Sequence, residues 1–274
     1  YMNFVTVLNV HNNPDGVVES LESIEAFLTD KIVVVVDGLG WEAFKDFSYK
    51  NAIIVEGFEH GVNRSPYKNC ALGLIKAYNK WPDAEWYCYI EFDVAFLNDG
   101  FKQDLKTMYH IKDLSLVATD VMNHDQDNDH WMVSDILQRP TKGFKTLGAV
   151  MCFTQMCLNK WNESNFLYLL LEKTKLYKGD FFPNFHAYAV EEVIFPTAAA
   201  AFGKILDISR FNPAGYTVRF QPEVEFHELN RFTSLAHPSK DFDGKVRKYS
   251  KSIRNLSHDR LPEDYFNIIS RIYL

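Results

Sequence analysis

Along the first 120 residues, apolar runs of strand length alternate with segments whose apolar positions recur at helical spacing. A run that is apolar throughout is typical of a strand covered on both faces, and spacing of three and four residues is typical of a helix packed on one face. The pattern predicts helices over 17–28 and 65–81 and strands over 3–10, 31–38, 52–57, 86–96 and 114–120. Such alternation predicts an α/β fold with a Rossmann-like, mostly parallel sheet flanked by helices.

The second half of the chain is less regular. Residues 148–158 are apolar, 165–176 have a helical pattern, and 187–203 read as a helix broken near Pro196. A strand is predicted within 216–226 and a short apolar helix over 264–273. Without a repeat or low-complexity linker, we expect one domain over 1–274, with a nucleotide-type half at about 1–120 and a substrate half at about 121–274.

Charge and cysteine usage exclude some functional classes. The net charge of −7 argues against a protein that binds nucleic acid by bulk charge. Four cysteines without a CxxC pair are typical of free core thiols, and no apolar run reaches the ~18 residues of a membrane span. We therefore expect a cytoplasmic protein. The 15% aromatic content fits a Phe-rich core or a pocket where a base or sugar stacks.

The basic C-terminal tail, residues 240–254, runs against this acidity, with six Lys or Arg against two Asp. A solvated face is one interpretation of such a run. The others are a segment that contacts phosphate and a patch that contacts anionic lipid, which would make the protein membrane-peripheral.

Candidate chemistry lies where the predicted strands end, because ligands of parallel sheets bind at the carboxyl ends of the strands. The polar residues there include His11, Asn12, Asp37, Glu91 and Asp93. Residues i and i+2 of a strand face the same way, so Glu91 and Asp93 predict two carboxylates around a hard divalent cation that carries phosphate. The alternative is that one acid caps the next helix and the other faces solvent.

In their order, these segments resemble the nucleotide-binding half of GT-A-fold, DxD-type glycosyltransferases of the family 2-like group. The resemblance covers roughly residues 3–120 and rests on VLNVHNN, VVVVDG, GVNRSPYKNCALGLIKAYNKW and YIEFD. It implies that Asp37 contacts the nucleotide base or ribose, with Asn12 and Arg64 in the same nucleotide-sugar site. It also implies that Asp93 binds the metal, while Glu91, in place of the first Asp of DxD, contacts metal or ribose.

Residues of the second half extend the resemblance. Glu191 and Glu192 begin a helix pattern where inverting members carry an acidic pair, and one of the two, by preference Glu192, would be the general base. The alternative role for the pair is to complement a helix dipole. His237, with His227 as its rival, would be a further metal ligand, and Lys240 would contact the diphosphate.

The resemblance thus implies a metal-dependent glycosyltransferase that uses Mn²⁺ or Mg²⁺ and a nucleoside diphosphate sugar, with a UDP-sugar as first choice. The acceptor would be a glycan, lipid or protein hydroxyl. A base at Glu192 implies inversion, and its absence would leave a retaining enzyme open.

Two other readings stay open. The string VVVVDGLGW also resembles the first metal-binding strand of alkaline-phosphatase-like hydrolases, although the polar segment 124–130 lacks their Gly-His pattern. The third reading is a non-catalytic module of the same fold that binds a nucleotide or carbohydrate, which the Glu at 91 permits.

Overall fold

The computed structural model describes residues 2–59, 66–123, 131–176, 191–241 and 244–255. The strands within these ranges are β1 (Phe4–Val10), β2 (Ile32–Val36), β3 (Ile53–Glu56), β4 (Trp86–Glu91), β5 (Ala95–Phe96), β6 (Leu114–Asn123), β7 (Phe144–Thr154), β8 (Lys204–Asp207), β9 (Tyr216–Val218) and β10 (Leu235–His237).

The α-helices of the same ranges are α1 (Pro14–Phe27), α2 (Pro66–Lys80), α3 (Gly100–Met108), α4 (Trp131–Leu137), α5 (Gln155–Glu163), α6 (Phe166–Leu176), α7 (Glu191–Ala200), α8 (Ile208–Phe211) and α9 (Lys245–Arg254). Within the described residues, the 3-10 helix Gly38–Phe44 follows β2 and the 3-10 helix Phe226–Glu228 precedes β10.

A seven-stranded sheet in the order β3-β2-β1-β4-β7-β6-β8 forms the centre of the molecule. All its neighbouring pairs are parallel except those of β7, which runs antiparallel to both β4 and β6. The predicted fold class, α/β with a mostly parallel sheet flanked by helices, is confirmed. Among the described residues, no helix is both long and apolar enough to cross a bilayer.

The inner strands are buried on both faces, as their continuous apolar sequences predict. In β1, Val5 and Val7 pack on the side of α2 and α7, whereas Leu8 and Val10 pack on the side of α1 and α3. Because side chains alternate along a strand, each apolar strand supplies both cores at once.

A second sheet of three strands, in the order β5-β10-β9, adjoins the carboxyl edge of the large one. β10 pairs antiparallel with β5, through Ala236 opposite Ala95, and parallel with β9. This pairing places the end of β10 beside the turn that connects β4 to β5.

The structure corrects two of the predicted elements and assigns the apolar segment 148–158. The strand predicted over 86–96 is two strands with a turn between them, and the apolar segment 148–158 divides into the end of β7 and the start of α5. α7 is continuous through Pro196 rather than broken there, because the helix is buried against β7 and this packing outweighs one missing N–H. The helix predicted over 264–273 lies outside the described residues.

Candidate active site

The turn after β4 carries the two acids that the sequence singles out. The N–H of Val94 donates to the carbonyl of Glu91 at 3.2 Å, so Phe92 and Asp93 lie in a tight turn. Asp93 is therefore not on the strand face where the i, i+2 argument places it. The turn nevertheless directs both carboxylates toward one point, because each lies beside the imidazole of His237.

His237 ends β10 and is buried. Its Nε2 lies 3.4 Å from Oε2 of Glu91 and 3.3 Å from Oδ1 of Asp93. Its Nδ1 lies 3.0 Å from the carbonyl oxygen of Arg219. A proton on Nδ1 donated to that carbonyl leaves the lone pair of Nε2 facing the two carboxylates, which is the orientation that a metal-binding imidazole needs.

The two carboxylates of Glu91 and Asp93 create a negative potential around His237 that favours a bound positive charge. Burial by itself lowers the pKa of His237, but the neighbouring carboxylates of Asp93 and Glu91 raise it to about 9. Burial likewise raises the pKa of Asp93, and His237, Lys240 and Arg247 together bring it below its usual range. Two carboxylates held around a buried imidazole are stabilised by a proton or by a cation.

Glu91, Asp93 and His237 fit a divalent metal ion. One ligand atom from each lies within 4.8 Å of the others, and no other such group of His, Cys, Asp or Glu occurs among the described residues. Oδ1 of Asp93 is fully buried, so its solvation there has to come from a neighbouring cation or donor. Two carboxylate oxygens and one imidazole nitrogen form a mixed donor set that suits Mn²⁺.

Lys240 reaches the same point from the segment after β10. Its Nζ lies 3.9 Å from Oδ2 of Asp93, and 58% of the side chain is exposed. The N–H of Ser239 donates to the carbonyl of Asp93 at 2.8 Å, which fixes this segment against the turn. An exposed ammonium beside a cation site can contact a phosphate group carried by the cation.

The acidic pair at the start of α7 lies within electrostatic range of Glu91, whose charge raises the pKa of both acids. The two side chains differ in their surroundings. Glu191 is buried, and burial raises its pKa well above the ordinary value. Glu192 keeps 12% of its side chain exposed, accepts from the N–H of Gly148 at 3.0 Å and lies 3.8 Å from Nζ of Lys145.

Asp37 follows β2 at the same edge, since Val36 pairs with Val10 of β1 and Asn9 of β1 pairs with Glu91. Its Oδ1 accepts from the N–H of Leu39 and caps the 3-10 helix, while its Oδ2 lies 3.5 Å from Nδ1 of His11.

The loops after β1 and β2 pack closely together. A Cβ on Gly40 would lie 1.7 Å from the carbonyl oxygen of His11, so only glycine fits there. Asn12 follows His11 and is exposed, and the ring of His11 stands edge-on to that of Phe92 at 5.7 Å between centroids.

The structure thus brings Glu91, Asp93, His237 and Lys240 together and couples them to Glu191 and Glu192. Asp37 and Asn12 lie at the ends of the neighbouring strands. Arg64 and the polar segment 124–130 lie outside the described residues. His227 is in the 3-10 helix before β10 and is not among the clustered ligands.

The sequence did not identify Arg247 as a residue of this site. Its guanidinium donates to the carbonyl of Phe92, within the Glu91–Asp93 turn. The apolar positions Val246, Tyr249 and Ile253 of the tail mark a helical face, and Arg247 lies beside that face. This spacing was the available indication that one cation of the basic run is buried.

Comparisons with known proteins find remote likenesses to solved structures alone. No protein-family model matches the chain, and no curated protein matches its sequence. A mannose-1-phosphate geranyltransferase from Thermus thermophilus shares 12% identity at a TM-score of 0.38, over 76% of this chain and 70% of that one.

Two further solved structures are glycosyltransferases. One is involved in glycosylation of the major capsid of PBCV-1, with 8% identity, a TM-score of 0.41, and coverage of 97% of this chain and 99% of that one. The other is a mannosyltransferase from Pyrobaculum calidifontis in complex with GDP-Man and Mn²⁺, with 14% identity, a TM-score of 0.41, and coverage of 76% and 55%.

Proposed function

We propose that this protein is a metal-dependent glycosyltransferase that moves a sugar from a nucleoside diphosphate sugar to an acceptor hydroxyl, with inversion. The observation that carries the proposal is the convergence of Glu91, Asp93 and His237 at the carboxyl edge of the sheet, with Lys240 beside them. The resemblance of VVVVDG and YIEFD to glycosyltransferase segments gives that site its expected substrate.

Glu91, Asp93 and His237 would hold Mn²⁺, or Mg²⁺ in its place. The ion supplies Lewis-acid stabilisation of the charge that builds on the leaving diphosphate. Lys240 adds a second positive charge there, because its exposed ammonium lies at the rim of the site. His237 orients its Nε2 through the contact of Nδ1 with Arg219.

Glu192 is the proposed general base. It accepts the proton of the acceptor hydroxyl while the hydroxyl oxygen forms its bond to the anomeric carbon of the sugar. The bond from that carbon to the diphosphate oxygen breaks, and its electron pair leaves with the diphosphate. Glu191 does not suit this role, because it is buried out of reach of solvent and burial raises its pKa well above the ordinary value.

Asp37 and Asn12 are proposed to bind the nucleotide, with Arg64 from the segment before α2. Asp37 already caps the 3-10 helix, so the cap fixes its carboxylate at the edge where a base or ribose would lie. A UDP-sugar is the first donor to test. This division places the nucleotide site at about residues 1–120 and the acceptor site at about 121–274.

The test is a thermal-shift series with UDP-, GDP- and CDP-sugars in the presence of Mn²⁺, followed by measurement of released nucleoside diphosphate. We expect one donor class to raise the Tm in a Mn²⁺-dependent manner. Asp93→Ala and His237→Ala should each weaken Mn²⁺ binding by at least ~100-fold, because they remove ligands. The exposed Asp46→Ala is the matched control and should retain wild-type binding.

The possible outcomes separate the three readings. Stabilisation with sugar transfer or donor hydrolysis supports the transferase, and stabilisation without turnover supports a non-catalytic binding module. Turnover of an aryl phosphate ester without any response to nucleotide sugars would favour the metallo-hydrolase. Wild-type Mn²⁺ binding by Asp93→Ala would refute the site itself.

A further inference from the structure

The basic tail is not a solvated face throughout. In α9, the side chains of Lys245, Lys248 and Lys251 are exposed, but Arg247 is buried, with 1% of its surface accessible. Arg254 at the end of the helix pairs with Glu19 at 2.8 Å and Glu22 at 3.3 Å of α1. Two of the six cations therefore point into the protein, each toward a different target.

Arg247 links two segments that carry the candidate ligands. Its Nη2 donates to the carbonyl of Phe92 at 2.9 Å, and Phe92 lies between Glu91 and Asp93. Its Nε donates to the carbonyl of Ser239 at 3.1 Å, two residues after His237. The planar guanidinium has its donors in fixed directions, so these two bonds set the separation of the segments.

The carbonyl of Phe92 and that of Phe96, four residues later, accept from other side chains of α1 and α9. Ser20 of α1 donates its hydroxyl to the Phe92 carbonyl at 2.7 Å. Ser23 of α1 and Ser250 of α9 both donate to the carbonyl of Phe96, at 3.2 Å and 2.7 Å. α1 and α9 thereby enclose the chain from the Glu91–Asp93 turn to β5 from two sides.

Burying a guanidinium this deeply destabilises the fold unless hydrogen bonds and opposite charges compensate for its lost hydration. Burial lowers the pKa of Arg247 to about 10, with the charges of Glu19 and Asp93 acting in the opposite direction. A methionine or leucine would fill similar space without this cost. What an apolar side chain cannot do is donate to two carbonyls at once and place positive charge near Asp93.

We propose that Arg247 is a positioning residue for the cation site: it holds the Glu91–Asp93 turn and the His237–Lys240 segment at the separation that binding of a divalent metal requires. The inference rests on the cation site of the proposed function. It assigns part of the basic tail to the site, rather than to solvent, phosphate or lipid.

The experiment compares Arg247→Met, Arg247→Lys and Arg254→Met in the full chain. Mn²⁺ affinity is measured without substrate, from the electron paramagnetic resonance signal of free Mn²⁺, and each variant's Tm is measured in parallel. We expect Arg247→Met to weaken Mn²⁺ binding by about 100-fold and Arg247→Lys by about 10-fold, since lysine can restore one of the two bonds. Arg254→Met should lower the Tm and leave the Mn²⁺ affinity within about twofold, because no ligand segment depends on it.

Equal losses of Mn²⁺ affinity in Arg247→Met and Arg254→Met would overturn the proposal, because both would then act only through the docking of α9. Unchanged affinity in Arg247→Met would overturn it as well. If Arg247→Met does not fold, Arg247→Lys decides, and wild-type affinity in that variant refutes the positioning role. An absence of Mn²⁺ binding in the wild-type protein refutes the cation site and this inference together, which distinguishes that failure from the others.

Discussion

Glu191 and Glu192 are adjacent in the chain and similar in chemistry, yet their surroundings make them different groups. Burial, together with the charges of Glu91 and Glu192, raises the pKa of Glu191 well above its ordinary value. Burial also raises the pKa of Glu192, but the Gly148 N–H and the ammonium of Lys145 act against it. The donors from β7 therefore favour the ionised form of Glu192, which is also the acid of the pair that stays partly exposed.

The environment of Glu192 yields a prediction at this scale. If Glu192 is the base, kcat/KM should fall as the pH drops through its raised pKa, because the protonated acid cannot accept the hydroxyl proton. Lys145→Met removes a cause that lowers this pKa, so the acidic limb of the pH profile should move to higher pH.

Two further variants serve as the positive and negative controls of that pH profile. Glu192→Gln should lose about 10²–10⁴-fold in kcat/KM. Lys160→Met removes an exposed ion pair with Glu163 on α5 and should leave the profile unchanged. An acidic limb that does not move in Lys145→Met would show that another group controls the rate.

At the scale of elements, the carboxyl edge is held in shape by contacts between loops and helices. Asn69 in the first turn of α2 accepts from the N–H of Phe58 at 2.7 Å and donates to its carbonyl at 3.3 Å. These two hydrogen bonds require glycine at position 57, since a Cβ there would lie 2.5 Å from Oδ1 of Asn69. The carbonyl of Phe58 also accepts from the N–H of Gly38 at 3.2 Å, so the loop after β3 is held next to Asp37.

Asn69→Ala tests this loop anchor. The variant leaves the backbone N–H and carbonyl of Phe58 without a side-chain partner, so the free energy of unfolding should fall by about 1–3 kcal/mol. Asn79→Ala on the same helix is the matched control: its side chain is exposed and should cost less than ~0.5 kcal/mol. Urea unfolding of both variants decides the comparison, and equal costs would contradict the anchoring role.

For the molecule as a whole, the large sheet separates two cores, and each core contains two cysteines. Cys70 and Cys157 lie with α2 and α5 on one side, and Cys88 and Cys152, paired across β4 and β7, lie on the other. All four are free and buried, as the sequence predicted. Burial raises the pKa of Cys70, Cys152 and Cys157, so a reactive thiolate is disfavoured.

The native protein should therefore resist thiol reagents. We expect negligible labelling of the folded chain by a disulfide reagent such as DTNB over minutes, and reaction of all four cysteines in guanidinium chloride. Labelling in native buffer should follow global opening, because both cores close on the same central sheet. Rapid stoichiometric labelling of one thiol under native conditions would contradict this arrangement.

The sequence by itself determined the elements that depend on neighbours along the chain. The apolar runs of β1, β2 and β4 identify buried parallel strands, and their carboxyl ends place Asp37 and Glu91 at one edge. The resemblance supplied His237 as a candidate ligand, and the structure places that residue beside Asp93. Local periodicity is enough to predict such elements, because the apolar positions of each segment show by themselves whether one face or both are buried.

Only the tertiary structure decided how distant segments meet. The pairing of β10 with β5, the antiparallel insertion of β7 and the burial of Arg247 all depend on residues far apart in sequence. A helix pattern around Pro196 and a basic run around Arg247 suggested other outcomes, because propensity and charge describe a segment in water. Packing against β7 keeps the helix continuous through Pro196, and two backbone carbonyls that need a donor bury Arg247. These contacts exist only once the chain has folded.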